Sequence, residues 1–323
     1  MSISPSDRSV FTHREWLQIA DTSCLLESNS TTLARSLARW STGVESPRRD
    51  FALRVRVDER AGTLEPAYFR GMEHLVFARY GLNIFLFDLR LKLVDAWIST
   101  TVAADEELWA SQFLPLMLGV LGANVGVLPL HSACVVKDGR GLLIAGRSTA
   151  GKSTLSVALA KAGFALLSDD WTYIRFRTTG LVACGLQVPV KLLPDSARHF
   201  PELQSIAPGR TINGEIAFEI PAKKLSGVST VSDCRPEAIV FLERSEEGPT
   251  VLIPTTRSYV HEYVNNSVER LPKELTAAAL TRRQLVAALT DLPAWIYRYS
   301  GPPQRGATRL AHFVEQLQEA VRP

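Results

Sequence analysis

The chain has 323 residues, 46% hydrophobic and 21% charged, with a formal net charge of +3 from 36 basic and 33 acidic side chains. That is enough apolar material for one large domain or two ordinary ones, and it excludes a disordered or fibrous chain. The small basic excess forms no arm or tail, so a nucleic-acid partner is not expected.

Cys24, Cys134, Cys184 and Cys234 are widely spaced with no CxxC pair. This argues against a disulfide framework or a zinc ribbon and fits a reducing compartment. The opening MSISPSDRSVFTHREW has no apolar core and is no signal peptide. The most apolar stretch, residues 113–121, is shorter than the about 20 residues a bilayer span takes. A cytoplasmic location without a membrane partner is the expectation. Asn29-Ser-Thr fits a glycosylation sequon, but an unexported chain never meets that machinery.

Along the first 128 residues, Phe51-Ala-Leu-Arg-Val-Arg-Val alternates as a half-buried strand does, and residues 83–89 and 93–99 read as further strands. Asp105 can cap a helix running to about Leu121, with Glu106 and Glu107 in its acidic first turn. Residues 131–137 and 141–145 read as two strands joined by Lys137-Asp-Gly-Arg, whose Asp-Gly supplies the positive φ of a tight hairpin. A glycine-rich loop and helix follow over residues 146–162, and Gly163 sits where a helix C′ glycine belongs. Residues 164–168 form an apolar strand ending in Asp169-Asp170. Strand, loop, helix and strand in this order imply parallel strands in an α/β core. Further strands are expected at 172–177, 188–192, 239–243 and 295–299, and helices at 273–289 and 307–321. The chain thus divides into an N-terminal α+β segment, 1–128, and a P-loop domain, 129–323.

Gly146, Arg147, Ser148, Thr149, Ala150, Gly151, Lys152 and Ser153 fit GxxxxGK[ST] at every required position. The glycines allow close main-chain approach to phosphates, and the helix N-terminus into which the loop runs favours anions, so the nucleotide-binding residues are expected to be 146–153 with Thr154. Lys152 can bridge β- and γ-phosphates, and the Ser153 hydroxyl can ligate Mg²⁺. ATP and Mg²⁺ are therefore the expected ligands, although such a loop reads phosphates and not the base. Asp169 and Asp170 end the next strand, at the edge where α/β sheets bind ligands. One carboxylate can hold Mg²⁺ while the other accepts a proton from an attacking hydroxyl. His131 opens the strand two before the loop.

The segment Leu130-His-Ser-Ala-Cys-Val-Val, then Gly-Leu-Leu-Ile-Ala-Gly-Arg-Ser-Thr-Ala-Gly-Lys-Ser-Thr, then Gly-Phe-Ala-Leu-Leu-Ser-Asp-Asp resembles the catalytic domain of bacterial HPr kinase/phosphorylase. The resemblance is specific over residues 130–170. It implies a fold shared with phosphoenolpyruvate carboxykinase and an ATP-dependent serine kinase. It also implies that Asp169 takes the serine proton, that Asp170 supports Mg²⁺, and that His131 hydrogen-bonds near the aspartates. The family's glycine-rich signature after the aspartates is not found. Asn213-Gly-Glu-Ile-Ala-Phe-Glu-Ile is a faint echo of it, with Glu215 more readily an ordinary exposed strand residue. Arg244 is a candidate phosphate contact from the same sheet edge, against the plainer reading of a solvated side chain.

The first 128 residues do not match the family's regulatory domain. The chain is similar instead to HPr-kinase-like proteins of peptide natural-product clusters. The expected acceptor is a serine of a peptide or protein. A small-molecule kinase acting on an alcohol, and a non-catalytic nucleotide switch or ATPase, are the alternatives. The parent family suggests a homo-oligomer.

Overall fold

A computed structural model describes residues 11–46, 48–59, 68–211, 214–245, 247–267 and 275–320. Most of the opening segment read for a targeting signal, and Asn213 of the glycine-rich echo, lie outside the described residues, as do the first residues expected in the 273–289 helix and Val321. The chain splits into two compact units, Met1–Val127 with Glu269–Arg282, and Leu128–Val268 with Arg283–Pro323. Both mix helices with sheet, so the protein is α/β with several sheets.

The first unit carries a seven-stranded sheet. Its strands are β1 (His13–Ile19), β2 (Thr22–Ser28), β3 (Phe51–Asp58), β4 (Tyr68–Met72), β5 (Leu75–Tyr80), β6 (Asn83–Asp88) and β7 (Leu93–Ser99). Their order is β1-β2-β3-β7-β6-β5-β4. The β2–β3 and β3–β7 pairs are parallel and the rest antiparallel. Alternation sends Leu53, Val55, Phe85, Phe87, Val94 and Ala96 to one face, and all are buried.

Trp109 and Phe113 cover that face, with the Phe113 ring 4.7 Å from Phe85. Asp105 caps the helical run as its sequence position suggests, accepting the Leu108 N–H at 2.9 Å. The run is not uniform, however. A π turn (Trp109–Phe113) precedes α1 (Leu114–Leu121). Pro115 has no N–H for the carbonyl four residues back and its ring crowds that carbonyl, which accounts for the widened turn. By length and composition the whole run, Glu106–Val125, is long and apolar enough to cross a membrane. It is thus longer than the 113–121 stretch expected from sequence, and Trp109, Phe113, Leu114, Met117, Leu118 and Leu121 are buried in the unit's core.

The second unit is built on a ten-stranded sheet with a three-stranded one beside it. The strands are β8 (Val127–His131), β9 (Ala133–Lys137), β10 (Arg140–Ala145), β11 (Ala165–Ser168), β12 (Trp171–Arg177), β13 (Gly180–Cys184), β14 (Val190–Leu192), β15 (Gly209–Arg210), β16 (Ile216–Ile220), β17 (Ser229–Thr230), β18 (Asp233–Arg244), β19 (Val251–Pro254) and β20 (Ala294–Tyr299). The large sheet runs β17-β11-β9-β10-β18-β13-β12-β8, with β20 on β18 and β19 on β20.

Its centre is buried on both faces. Ala133, Val135, Leu142, Ile144, Val240 and Leu242 face one cluster, and Cys134, Val136, Leu143, Ala145, Ile239 and Phe241 face the other. This strict alternation explains why these strands read as continuous apolar runs. Helices α2 (Lys152–Lys161) and α5 (Pro303–Ala320) supply Leu155, Leu159 and Leu310 to the first cluster. Helices α3 (Arg257–Asn266) and α4 (Thr276–Thr290) supply Val260, Val264, Leu285 and Leu289 to the second.

Three local expectations can be compared directly. Asp138 and Gly139 both have positive φ, 51° and 76°, as a two-residue hairpin turn between β9 and β10 requires. Helix α2 ends with the Phe164 N–H on the Leu159 carbonyl and the Gly163 N–H on that of Ala160, the double bond of a glycine-terminated helix. The third differs. Residues 131–137 are not one strand, because the Ser132 N–H turns back to the Leu130 carbonyl at 2.8 Å. His131 therefore closes β8 and does not open β9.

The parallel arrangement also has a twist not visible in sequence. Strands β10 and β18 pair in parallel, but β10 and β11 are separated by β9, antiparallel to both. β10 and β11 still point the same way, so the loop after β10 and the aspartates after β11 reach one sheet edge.

Gly185 marks the tightest main-chain approach near that edge. A Cβ there would lie 2.2 Å from the Leu167 carbonyl oxygen, two residues before Asp169. Gly185→Ala should lower stability by about 1–3 kcal/mol, the range for overpacking, read as an unfavourable shift in a urea midpoint with unchanged slope.

Candidate active site

The loop leaves β10 at Gly146 with φ of 143°, and a Cβ there would sit 2.9 Å from the Leu242 carbonyl oxygen of β18. Only glycine fits at that distance. The loop passes through Thr149, at φ of 65°, and Gly151, at φ of 94°, before α2 begins at Lys152. The first N–H groups of α2 have no intrahelical acceptors and point toward the loop, which makes this end a seat for anions.

Lys152 is 6% exposed. Its ammonium is folded back on its own loop, donating to the carbonyls of Gly146 at 3.1 Å and Arg147 at 3.3 Å. Burial lowers its pKa, opposed by the charges of Asp170 and Asp169. The three charges therefore share one neighbourhood. Ser153 donates its hydroxyl to the Asp169 main-chain carbonyl at 3.3 Å, tying the start of α2 to the end of β11. Ala150 closes a turn onto the Arg147 carbonyl at 3.2 Å. Ser148 and Thr149 are exposed at the loop tip, and Thr154 faces Ser196, with hydroxyls 3.2 Å apart.

The adjacent aspartates occupy different environments. Asp169 is 3% exposed and accepts the Lys191 main-chain N–H at 3.0 Å. Burial, with the charge of Asp170 beside it, pushes its carboxyl up to about 7, and the Lys191 N–H opposes this only in part. Asp170 has a side chain 45% exposed and lies 2.8 Å from Nε2 of His131. Burial works against its charge too, but the His131 hydrogen bond and the charges of His131, Lys152 and Lys191 hold it below the ordinary carboxylate range. Two neighbouring carboxyls with pKa values pushed apart are the pattern of one base poised near neutrality and one permanent anion. The His131 ring stacks on Trp171, centroids 5.2 Å apart, which fixes the plane in which it meets Asp170.

Two residues not singled out from sequence belong to this arrangement. Tyr263, on α3, donates its hydroxyl to the His131 carbonyl at 2.8 Å and accepts the Gly146 N–H at 3.2 Å. One phenol thus joins the first residue of the loop to the strand end that carries the histidine. Its signal was the stripe Tyr259, Val260, Tyr263, Val264 behind the N-cap Thr256, visible only as an amphipathic helix. Lys191, on β14, holds Asp169 through its main chain, and its ammonium pairs with Glu215. Glu215 is therefore ion-paired one residue away from the buried aspartate. Arg244 is exposed at the end of β18. Its charge reaches Tyr299, whose hydroxyl is pushed up by burial and drawn back by that arginine, and the Tyr299 hydroxyl lies 3.9 Å from where a Cβ on Gly151 would be.

Among the described residues no group of three or more His, Cys, Asp or Glu side chains could hold a metal ion. What the chain offers at the loop is a hydroxyl, Ser153, and an anionic carboxylate, Asp170. A hard-oxygen pair of this kind suits Mg²⁺, which keeps most of its shell for water and substrate phosphates.

No family model matches the sequence. No curated protein matches it either. Among solved structures the chain is similar to the Hpr(Ser) kinase/phosphatase from Coxiella burnetii, at 15% identity and a TM-score of 0.31, over 59% of this chain and 98% of that one. A likeness this distant carries no argument about the chemistry here.

Asp169 holds its proton more tightly folded than unfolded, so its contribution to stability should fall as pH rises from 3.8, its ordinary value, to about 7. Above that window the full cost of a buried anion is present. Asp169→Asn should therefore melt higher than wild type at pH 8, with the gap closing near pH 4. The expected size is several kcal/mol, at ~1.4 kcal/mol for each pH unit of the window. Calorimetric scans at the two pH values check this.

Proposed function

We propose that the protein is an ATP- and Mg²⁺-dependent kinase that transfers the γ-phosphoryl group to a hydroxyl, the acceptor being a serine of a peptide or protein. The observation that carries this reading is the meeting at one sheet edge of a GxxxxGK[ST] loop with two adjacent carboxyls, one anionic and one titrating near neutrality. The order of His131, loop and Asp169-Asp170, which resembles the HPr kinase/phosphorylase catalytic domain, supports the choice of a hydroxyl acceptor.

Each residue has a role in this reading. The loop N–H groups and the start of α2 receive the phosphates. Lys152 exchanges the Gly146 and Arg147 carbonyls for phosphate oxygens, so its charge is spent on the substrate only when substrate is present. Ser153 and Asp170 would hold Mg²⁺, which neutralises phosphate charge. Asp169 orients the acceptor hydroxyl and takes its proton. A pKa near 7 lets it be deprotonated before the reaction and still basic enough to accept a proton. His131 keeps Asp170 anionic and oriented. Positioning and electrostatics account for most of the expected rate gain. A cytoplasmic location and a homo-oligomer accompany this reading as proposals.

Calorimetric titration with ATP and Mg²⁺ comes first. Wild type should bind, and Lys152→Ala should lose binding by at least about tenfold, consistent with removal of a charge-assisted contact. Asp169→Asn should retain binding and lose transfer by about 10²–10⁴-fold when labelled ATP is applied to an array of serine-containing peptides. Label on small alcohols alone would point to a small-molecule kinase, and free phosphate alone to an ATPase switch. Failure of wild type to bind either ATP or GTP overturns the reading. The transfer rate should also rise with pH and level off above about 7, because only deprotonated Asp169 can accept the proton. A flat profile from pH 5.5 to 8.5 removes Asp169 as the base.

A further inference from the structure

The first unit's sheet has a second face and two edges, and they are not alike. The outer edge of β1 is closed by its own chain, through the Leu17–Ser41 bridge and the Thr42 N–H on the Trp16 carbonyl at 3.0 Å. At the other edge, all five residues of β4 are exposed, and no strand pairs beyond it among the described residues. Tyr68, Phe69 and Met72 are 50%, 50% and 57% exposed there. An edge of this kind offers unpaired main-chain groups to any extended chain.

The face next to that edge is equally unusual. Cross-strand register aligns Tyr68, Arg79, Ile84, Trp97 and Arg56 in one row over five strands. A pocket of about 480 Å³ opens on this row, lined by Arg79, Gly81, Leu82, Ile84 and Trp97. The acids of the face are already engaged. Glu27 pairs with Arg54 at 2.9 Å, Asp95 with Arg56 at 3.7 Å, and Asp88 accepts the N–H groups of Arg90 and Leu91. Arg70 and Arg79 have no acidic partner among the described residues. Two exposed arginines without an ion-pair partner among the described residues thus stand beside the open edge and the apolar pocket.

We propose that this edge and face dock an extended, acidic segment of another polypeptide. Its main chain continues the sheet at β4, its carboxylates meet Arg70 and Arg79, and a flanking apolar side chain fills the pocket at Leu82, Ile84 and Trp97. This is strand addition, in which main-chain bonds give affinity and pockets give specificity. A single-stranded nucleic acid would stack on Tyr68 and Trp97 but leave the hydrogen-bonding edge of β4 unused. A second copy of this chain, paired antiparallel over all five residues of β4, would set Arg70 against Arg70, a like-charge pair directly opposite. The acidic peptide uses the edge, the charge and the pocket together. The inference does not depend on the chemistry at the P-loop.

The test is selection of a displayed random ten-residue peptide library on the full-length protein, followed by affinity measurement on the enriched peptides. Enrichment of Asp or Glu next to a large apolar residue is expected. Binding should fall at least about tenfold in an Arg70→Glu/Arg79→Glu variant, as for lost charge pairs, and clearly in Trp97→Ala. The charge-reversed variant should keep the wild-type melting temperature, since Arg70 and Arg79 are exposed, and Trp97→Ala is compared well below its own melting temperature. N-methylation of alternate peptide amides should abolish binding if the main chain joins the sheet. Lys152→Ala should bind the same peptides as wild type, which separates this inference from the kinase reading. No enrichment over the bare support, enrichment of basic peptides, or equal binding by the charge-reversed variant would each overturn it. So would binding of a 20-nucleotide single strand that displaces the peptides, or a dimer in sedimentation that pairing through β4 explains.

Discussion

Asp169 lies just after β11 with its carboxyl out of water, received by the Lys191 main-chain N–H at 3.0 Å, with its own N–H and the Ser153 hydroxyl also favouring its charge. Burying a carboxylate is costly, and the ordinary response is to hold a proton longer. A second carboxyl one residue on raises the cost further. The site settles this by asymmetry. Asp170 is turned outward to His131 and remains an anion, while Asp169 titrates near neutrality. The rest of the unit serves that asymmetry. β14 must bring Lys191 under the buried oxygen, β8 must end at the histidine, and α3 must place Tyr263 between histidine and loop.

The same edge resolves the charge of Lys152. A buried ammonium needs acceptors, and the loop's own carbonyls at Gly146 and Arg147 provide them. The loop is thereby closed on itself by the group that phosphate would claim. The close approach of Gly146 to the β18 carbonyl at Leu242 makes this compact loop possible.

The core of the second unit was legible early because its signal is local. The strands around the loop are buried on both faces, so their apolar runs are unbroken. The hairpin at Asp138-Gly139 and the end of α2 at Gly163 were legible because positive φ leaves a composition mark. The first unit was harder. Its edge strands β1 and β4 carry mixed residues, since one face and one edge meet water, and nothing in β4 alternates clearly. The break between β8 and β9 was hidden because the two strands are consecutive and both buried. The bend at Ser132 is set by its pairing partners, β12 on one side and β10 with β11 on the other.

The sequence by itself determined which residues could do chemistry: the spacing of Gly146, Gly151, Lys152 and Ser153 is a local geometric requirement, and Asp169-Asp170 falls at a strand end. It also determined that the chain would build α/β cores. It did not determine which aspartate would be buried, that a tyrosine some 120 residues away would join the loop to His131, or that Lys191 would hold the buried carboxyl through its main chain. Those depend on strand order and on contacts between distant segments. Environment, not residue type, sets the pKa of a carboxyl, so only the tertiary structure could distinguish two identical neighbours.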